Sequence, residues 1–359
     1  MSKINITKAN TLKVPPKTEE LGFGKLFTDH MLTMDFDSKS GWHNPQIIPH
    51  DYVAFRPETL VFHYGQAIFE GIKAFRTADN KILVFRPNEY LQRFNRSAEI
   101  LSIPKMDLDL VFEGLKALID LDKHWVPSEY GTSLYIRPFV ISTDELLSVK
   151  VSGKYKLFII MSPVGAYYST GFKPVSIKVE DKYVRAVPGG LGEAKTPANY
   201  AASLRAQIEA NTEGFTQVLW LDGIQREYVE EVGTMNIFFK INGELITPAL
   251  NGSILGGITR RTVLEQAAKW GYRVVERPIS ITEVYQAHEK GLLEEVFGSG
   301  TAAVISPVGV LSWKGNKITI NNNETGPLTL KLFDYITGVQ YRKEADVNGW
   351  TVEVARIID

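Results

Sequence analysis

The chain has 359 residues, room for two domains at roughly 100 to 200 residues each. With 40 Lys+Arg against 41 Asp+Glu the net charge is −1, so no global field draws it to nucleic acid or anionic lipid. Cys is absent, which excludes disulfides, thiolate metal sites and thiol catalysis, and 44% hydrophobic residues exclude a disordered chain.

The longest apolar run is about the length of Leu157 to Met161, far short of the ~18 residues a membrane span needs, so no membrane partner is expected. The N-terminus lacks an apolar signal segment and its first Arg is Arg56, which reads as a cytoplasmic chain. No solenoid-period repeat or low-complexity tract is present.

In chain order, alternation predicts a strand over His30 to Phe36, an extended stretch near Gln46 to Phe55 and a short strand at Ile82 to Phe85. Pro87 opens a helix with Tyr90, Leu91, Phe94, Ala98 and Leu101 on one face and Arg93 just off it. A second helix runs from about Leu108 to Lys123, and strands return at Ser133 to Ile141 and Tyr155 to Met161. Two Pro and two Gly between Ser162 and Pro174 read as a connection. This predicts a first domain over 1–162, a linker over 163–174 and a second domain over 175–359.

Beyond the linker, strands are expected near Val175 to Val179, Gln217 to Leu221 and Asn236 to Ile241, with a hairpin at Asn242-Gly243 leading to Leu245 to Thr247. A helix from Thr259 to Trp270 ends at Gly271, and the capping box Ser280-Ile-Thr-Glu283 opens another that stops near Gly291. Strands at Glu295 to Phe297 and Ala303 to Val310, a hairpin near Trp313 to Ile320 and a helix from Pro327 to Tyr341 follow. Strands outnumber helices without βαβ regularity, which favours α+β.

Several segments have the residue types for chemistry. Pro188-Gly-Gly-Leu-Gly-Glu-Ala-Lys195-Thr-Pro-Ala-Asn-Tyr200 ends a glycine-rich loop on one Lys, just before a helical pattern over Ala201 to Ala210. A helix N-terminus disfavours the ammonium form, and burial would disfavour it further, as a Schiff-base amine requires. An ordinary lysine beside a turn is the alternative. Gly256-Gly-Ile-Thr-Arg260 enters a helix whose first N–H groups suit phosphate, and Gly298-Ser-Gly-Thr301-Ala offers a second close-approach turn. Both could equally be plain turns.

In Tyr228-Val-Glu-Glu231-Val, adjacent carboxylates fall on opposite faces of an extended segment, with Glu231 inward beside Val229 and its neighbour toward solvent. An inward Glu needs a cation, either a protonated pyridine nitrogen or a structural partner. Tyr135 and Arg137 share a strand face, where an Arg can clamp a carboxylate. Tyr64 and Phe69 could add aromatic walls or simply core. The six His show no paired ligand spacing, so no metal is expected.

Taken together the segments resemble the branched-chain amino acid aminotransferases, which are fold type IV pyridoxal-phosphate enzymes. The resemblance runs from Phe23-Gly-Lys-Leu-Phe-Thr-Asp-His30 to Asn348-Gly-Trp350. It includes Tyr64-Gly-Gln-Ala-Ile-Phe-Glu-Gly71, Leu134-Tyr-Ile-Arg-Pro138, Lys195 with Asn199-Tyr200, Glu231-Val-Gly-Thr-Met-Asn236, Gly257-Ile-Thr-Arg260 and Phe297-Gly-Ser-Gly-Thr-Ala302.

The resemblance implies a two-domain α+β fold and reversible amino transfer from L-Leu, L-Ile or L-Val to 2-oxoglutarate. Lys195 would form the internal aldimine and move the proton between substrate Cα and cofactor C4′. Glu231 would pair with the pyridinium nitrogen and Tyr200 with the phenolic oxygen. Arg93, the N–H groups of Ile258 and Thr259, and Thr301 would hold the phosphate. Phe23, Tyr64, Phe69 and Tyr135 would line the apolar side, Arg137 would take the distal carboxylate of glutamate, and Thr234 with the Ala302 N–H the α-carboxylate. Leu147 and Val149 match a loop that in the family reaches the partner subunit's site, so a homodimer is implied.

Two departures stand out. Thr196-Pro197-Ala198 replaces the two glycines many relatives have after the lysine; Pro suits a first helical position with Thr196 as cap, which implies a stiffer loop. Ala303 and Ser306 stand where mammalian relatives have a redox Cys pair. The rival readings are a D-amino acid aminotransferase or aminodeoxychorismate lyase of the same fold, and a non-catalytic anion or metabolite binder.

Overall fold

The computed structural model describes residues 4–165 and 172–357. Those before 166, with Ala194–Pro197 and those from Gly338 on, form one compact unit, and 172–193 with Ala198–Thr337 form a second. No helix among the described residues is long and apolar enough to cross a membrane.

The first unit contains β1 (Asn5–Ile6), β2 (His30–Asp37), β3 (Gly41–Pro49), α1 (Val61–Tyr64), β4 (Ala67–Phe69), β5 (Ile72–Arg76), β6 (Lys81–Phe85), α2 (Pro87–Ile100), α3 (Leu108–Leu121), β7 (Ser133–Ser142) and β8 (Lys154–Val164). The chain continues through β9 (Val175–Glu180), α4 (Pro197–Thr212), β10 (Gln217–Leu221), β11 (Val229–Val232), β12 (Met235–Ile241), β13 (Glu244–Thr247), α5 (Ile258–Lys269), β14 (Arg273–Glu276), α6 (Ile281–Glu289), β15 (Leu293–Gly300), β16 (Val304–Trp313), β17 (Asn316–Thr319), α7 (Pro327–Gln340) and β18 (Thr351–Arg356). This is the expected α+β class.

One sheet orders β1-β3-β2-β8-β7-β5-β6-β18, with β4 on β7. Of the apolar faces that periodicity picks out, Tyr90, Leu91, Phe94 and Ala98 of α2 and Val111, Leu115, Leu118 and Ile119 of α3 are buried, whereas Leu101 falls just past α2, at its C-cap, and is half-buried. Asp107 caps α3 by accepting from the N–H groups of Asp109 and Leu110. The other sheet orders β11-β10-β9-β16-β15-β12-β13-β14, and an additional β11–β12 pairing closes six of its strands into a ring. Trp220 sits wholly inside this unit against Ala206, Ala210, Phe215 and Val218, its indole N–H on the Gly233 carbonyl at 2.9 Å.

Three expectations need correction, and one falls partly outside the described residues. The second domain does not keep the C-terminus: β18 adds to the free edge of β6, where Trp350 packs on Phe85 at 5.9 Å and under Arg86 at 5.2 Å. Part of the expected linker, 166–171, lies outside the described residues. The stretch near Gln46 to Phe55 is strand only to Pro49, and it begins earlier, at Gly41, across a register shift where Asn44 takes a φ of 54°. The capping box at α6 is half made: Ser280 accepts the Glu283 N–H at 3.0 Å, whereas the Glu283 carboxylate forks onto Arg277 at 2.5 and 3.0 Å.

Candidate active site

In the first unit the Lys195 segment lies against β4. The Phe69 N–H donates to the Lys195 carbonyl at 3.0 Å, the Thr196 hydroxyl to the Ala67 carbonyl at 2.8 Å, and the Lys195 N–H to Ser97 Oγ at 2.9 Å. Three bonds from neighbouring positions fix the backbone on which the amine is mounted, and α4 starts at Pro197. The Lys195 Nζ lies 5.0 Å from the Phe69 ring centroid.

The same ring stacks under Arg137, whose guanidinium carbon is 4.7 Å from the Phe69 centroid and 5.3 Å from that of Tyr135. Arg137 Nη2 donates to Tyr135 Oη at 3.0 Å, and its Nε–H is buried with no acceptor among the described residues. Tyr135 also tilts against Phe23 at 5.0 Å. Gly71 makes room for this arrangement, since a Cβ there would lie 2.1 Å from Tyr135 Oη. The result is an aromatic wall containing one masked cation. Tyr64 lies on α1 and is 45% exposed; Leu147 and Val149 are 68% and 82% exposed.

Arg93 is buried on α2, and its Nε and Nη2 fork onto the two oxygens of fully buried Glu70 at 2.7 and 2.8 Å. Glu70 lies within the Phe-Glu-Gly motif, but nothing in its spacing announces the pair. The bond fixes the plane of a guanidinium that would otherwise be mobile.

In the second unit, ring closure sets a polar row. Glu231 on β11 is opposite Asn236 on β12, which is opposite Ser299 on β15, so the three side chains share one face. Glu231 Oε1 accepts from the Leu255 N–H at 2.8 Å and lies 3.3 Å from Arg185 Nη2. Asn236 donates to the Leu255 carbonyl at 2.8 Å, and Ser299 Oγ is buried with no partner among the described residues. The expectation that Glu230 faces solvent is wrong. Both carboxylates are buried: the loop at Asn251 and Ser253 covers the Glu230 face, where Ser253 Oγ and Asn251 Nδ2 donate to Glu230. Burial pushes the Glu230 carboxyl above its ordinary range, against the opposing pull of Ser253, Asn251 and Arg185.

Helix α5 begins after Gly257 with no side-chain cap, so the N–H groups of Ile258 and Thr259 are at an uncapped, positive helix end. A Cβ on Gly257 would lie 2.0 Å from Asn236 Oδ1, which ties this close approach to glycine. Thr301 and Ala302 form the turn between β15 and β16, followed by Val304 at a φ of 62°, strained for a β-branched residue. Thr234 is exposed in the β11–β12 turn, and Tyr200 lies in the first turn of α4. Each unit therefore gathers its own subset of the expected residues. Arg185, Glu70, Asn236 and Ser299 are additions that spacing did not reveal.

The first unit thus holds an amine on a fixed backbone, and the second a polar row headed by a buried carboxylate and an uncapped helix end. The sequence model of amino-transferase class IV matches residues 67–310. Over 356 residues the chain is 54% identical to branched-chain-amino-acid aminotransferase 2 of Bacillus subtilis (strain 168), covering 99% of this chain and 98% of that one. The solved branched-chain amino acid aminotransferase of Escherichia coli matches with a TM-score of 0.75 at 27% identity, covering 91% of this chain and 99% of that one. The solved branched-chain aminotransferase of the thermophilic archaeon Thermoproteus uzoniensis, with norvaline, matches with a TM-score of 0.73 at 26% identity, covering 90% and 99%. Another solved branched-chain amino acid aminotransferase, complexed with N-(5'-phosphopyridoxyl)-L-glutamate, matches with a TM-score of 0.72 at 25% identity, covering 89% and 98%. The chain belongs to the branched-chain-amino-acid aminotransferases of class IV.

Proposed function

We propose that the protein transfers the amino group of L-leucine, L-isoleucine or L-valine to 2-oxoglutarate, giving branched-chain 2-oxo acids and L-glutamate, with pyridoxal 5'-phosphate as cofactor. The observation that carries this reading is the Phe69 ring, which bears both the Lys195 amine and the masked Arg137. One apolar wall with one cation suits a branched side chain in one half-reaction and a carboxylate in the other.

The residues fit the cofactor. Its phosphate matches the uncapped start of α5, where Gly257 admits no Cβ, and its ring nitrogen matches the buried Glu231 carboxylate. Arg93, the Ile258 and Thr259 N–H groups and the Thr301 hydroxyl would hold the phosphate, Glu231 would keep a proton on the ring nitrogen, and Tyr200 would donate to the phenolic oxygen. When bound, the cofactor supplies an aldehyde carbon that takes up amino nitrogen and a ring that accepts the electron pair released at the substrate Cα.

Lys195 Nζ would hold the cofactor and, as a neutral amine, would carry the proton released at the substrate Cα. Thr234 and the Ala302 N–H bind the α-carboxylate. Phe23, Tyr64, Phe69 and Tyr135 enclose the branched side chain and exclude water, and Arg137 turns to the distal carboxylate of glutamate.

A homodimer is part of the reading. Its support is the exposure of Phe62, Tyr64, Leu147, Val149 and Val151, on α1 and a loop that the Thr59–Glu145 bridge holds beside it.

The test compares L-leucine, D-alanine and aminodeoxychorismate as substrates, then L-leucine and L-glutamate with Arg137→Ala. Leucine turnover is expected, with at least about tenfold greater loss for glutamate than for leucine in the variant. D-alanine turnover without leucine turnover refutes the activity, and equal losses refute the role of Arg137.

A further inference from the structure

We propose that Arg185 is the positioning residue that keeps the Glu231 carboxylate ionised toward the cofactor's ring nitrogen. This rests on the assignment of Glu231 to that nitrogen.

Arg185 lies in the short stretch between β9 and the glycine-rich loop, and its side chain is 8% exposed. Its Nη2 donates to the Gly192 carbonyl at 3.2 Å and to the Ser253 carbonyl, and lies 3.3 Å from Glu231 Oε1. One guanidinium thus touches the loop leading to Lys195, the loop leading to α5, and the carboxylate of the polar row. The two loops meet backbone to backbone at this point, since a Cβ on Gly192 would lie 2.1 Å from the Ser253 carbonyl oxygen. Only glycine lets Arg185 reach both carbonyls at once.

Two features argue against simple structural glue. Arg185 Nε–H is buried with no acceptor among the described residues, so the site retains a desolvated cation whose hydrogen bonding is incomplete. Backbone carbonyls need only a donor, which a neutral amide supplies without the desolvation cost of a charge.

The second feature is where the charge falls. Arg185 and the Leu255 N–H both act on Glu231 Oε1, so the guanidinium charge falls on the carboxylate assigned to the ring nitrogen. A cation nearer to a carboxylate than to that carboxylate's proton partner favours the ionised pair over the neutral acid with a bare nitrogen. Glu230 also feels Arg185, but it is engaged by Ser253 and Asn251, and its burial disfavours its charged form. The negative charge beside Arg185 is therefore that of Glu231.

The test reconstitutes wild type, Arg185→Gln, Arg185→Lys and Glu231→Gln with pyridoxal phosphate carrying 15N in the ring, and reads the nitrogen's chemical shift and the cofactor dissociation constant. Arg185→Gln retains amide donors for the Gly192 and Ser253 carbonyls but no charge. Its ring nitrogen should move toward the unprotonated shift, with the dissociation constant raised about tenfold. Arg185→Lys, which keeps charge and loses the fork, should hold the wild-type shift. A glutamine variant whose nitrogen stays as protonated as wild type overturns the proposal. Should that variant fail to fold, a lysine variant that loses the ring proton overturns it and one that keeps it supports it. A Glu231→Gln protein with an unchanged nitrogen would instead sink the assignment of Glu231 itself.

Discussion

Glu70 and Arg93 form the most sharply testable pair in the first unit. Glu70 is fully buried, Arg93 is 9% exposed, and two bonds of 2.7 and 2.8 Å join them. Glu70→Ala leaves a buried guanidinium without its counter-charge, a change that costs about 3 to 5 kcal/mol. For a unit of this size that corresponds to a melting point lower by about 6 to 20 °C. Glu70→Gln keeps an acceptor oxygen and should fall between. A phosphate bound at Arg93 is a second counter-ion, so pyridoxal phosphate should raise the melting point of Glu70→Ala by more than it raises that of wild type. For scale, a ligand at 100 times its dissociation constant stabilises by about 2.7 kcal/mol. Pyridoxal without its phosphate should lack this differential effect. Calorimetry with and without each ligand checks both points. A variant melting within about 2 °C of wild type refutes the buried-pair argument, and equal ligand gains for variant and wild type refute the phosphate role of Arg93.

Gly71→Ala would place a methyl 2.1 Å from Tyr135 Oη, so Tyr135 must swing out and release Arg137 Nη2. Its KM for both substrates should rise at least about tenfold while far-ultraviolet circular dichroism is unchanged; wild-type kinetics would refute the wall. Lys73 lies on β5 opposite Tyr135, and burial lowers its ammonium from the ordinary 10.5 to about 8. The fold then holds fewer protons than the unfolded chain between those values, so its contribution to stability rises with pH across that window and the full penalty is present below about 8. Lys73→Met should therefore stabilise by up to about 3 kcal/mol at pH 7, with the gain vanishing by about pH 10.5; a gain independent of pH contradicts it. Val149→Asp should shift sedimentation from dimer toward monomer, and a monomeric wild type would rule the dimer out.

Local signals carried far along this chain because they belong to single elements. The 3.6-residue stripes of α2 and α3, the Asn242-Gly243 hairpin and the start of α4 at Pro197 each depend on a few adjacent residues, and the structure forms them there. The motifs likewise singled out Lys195, Arg137 and Glu231, which lie on a fixed backbone, in an aromatic wall and in a buried polar row. What sequence could not supply is who stands opposite whom. Arg185 and Glu231 are 46 positions apart, and Glu70 and Arg93 are paired by the packing of a helix on a strand end.

Glu230 shows the physical reason most clearly. A period of two correctly separates it from Glu231 onto the opposite face of β11. Periodicity assigns faces but says nothing about what covers them. The pairing of β11 with both β10 and β12 closes a ring, and a closed ring has an interior face and an exterior face that loops can also cover. The loop at Asn251 and Ser253 covers the Glu230 face, with Ser253 Oγ and Asn251 Nδ2 donating to its carboxylate, while Leu255 of the same loop donates to Glu231. One loop thereby buries two adjacent carboxylates and must answer for both charges. Arg185, bound to the same loop at Ser253, is the cation that lets it do so.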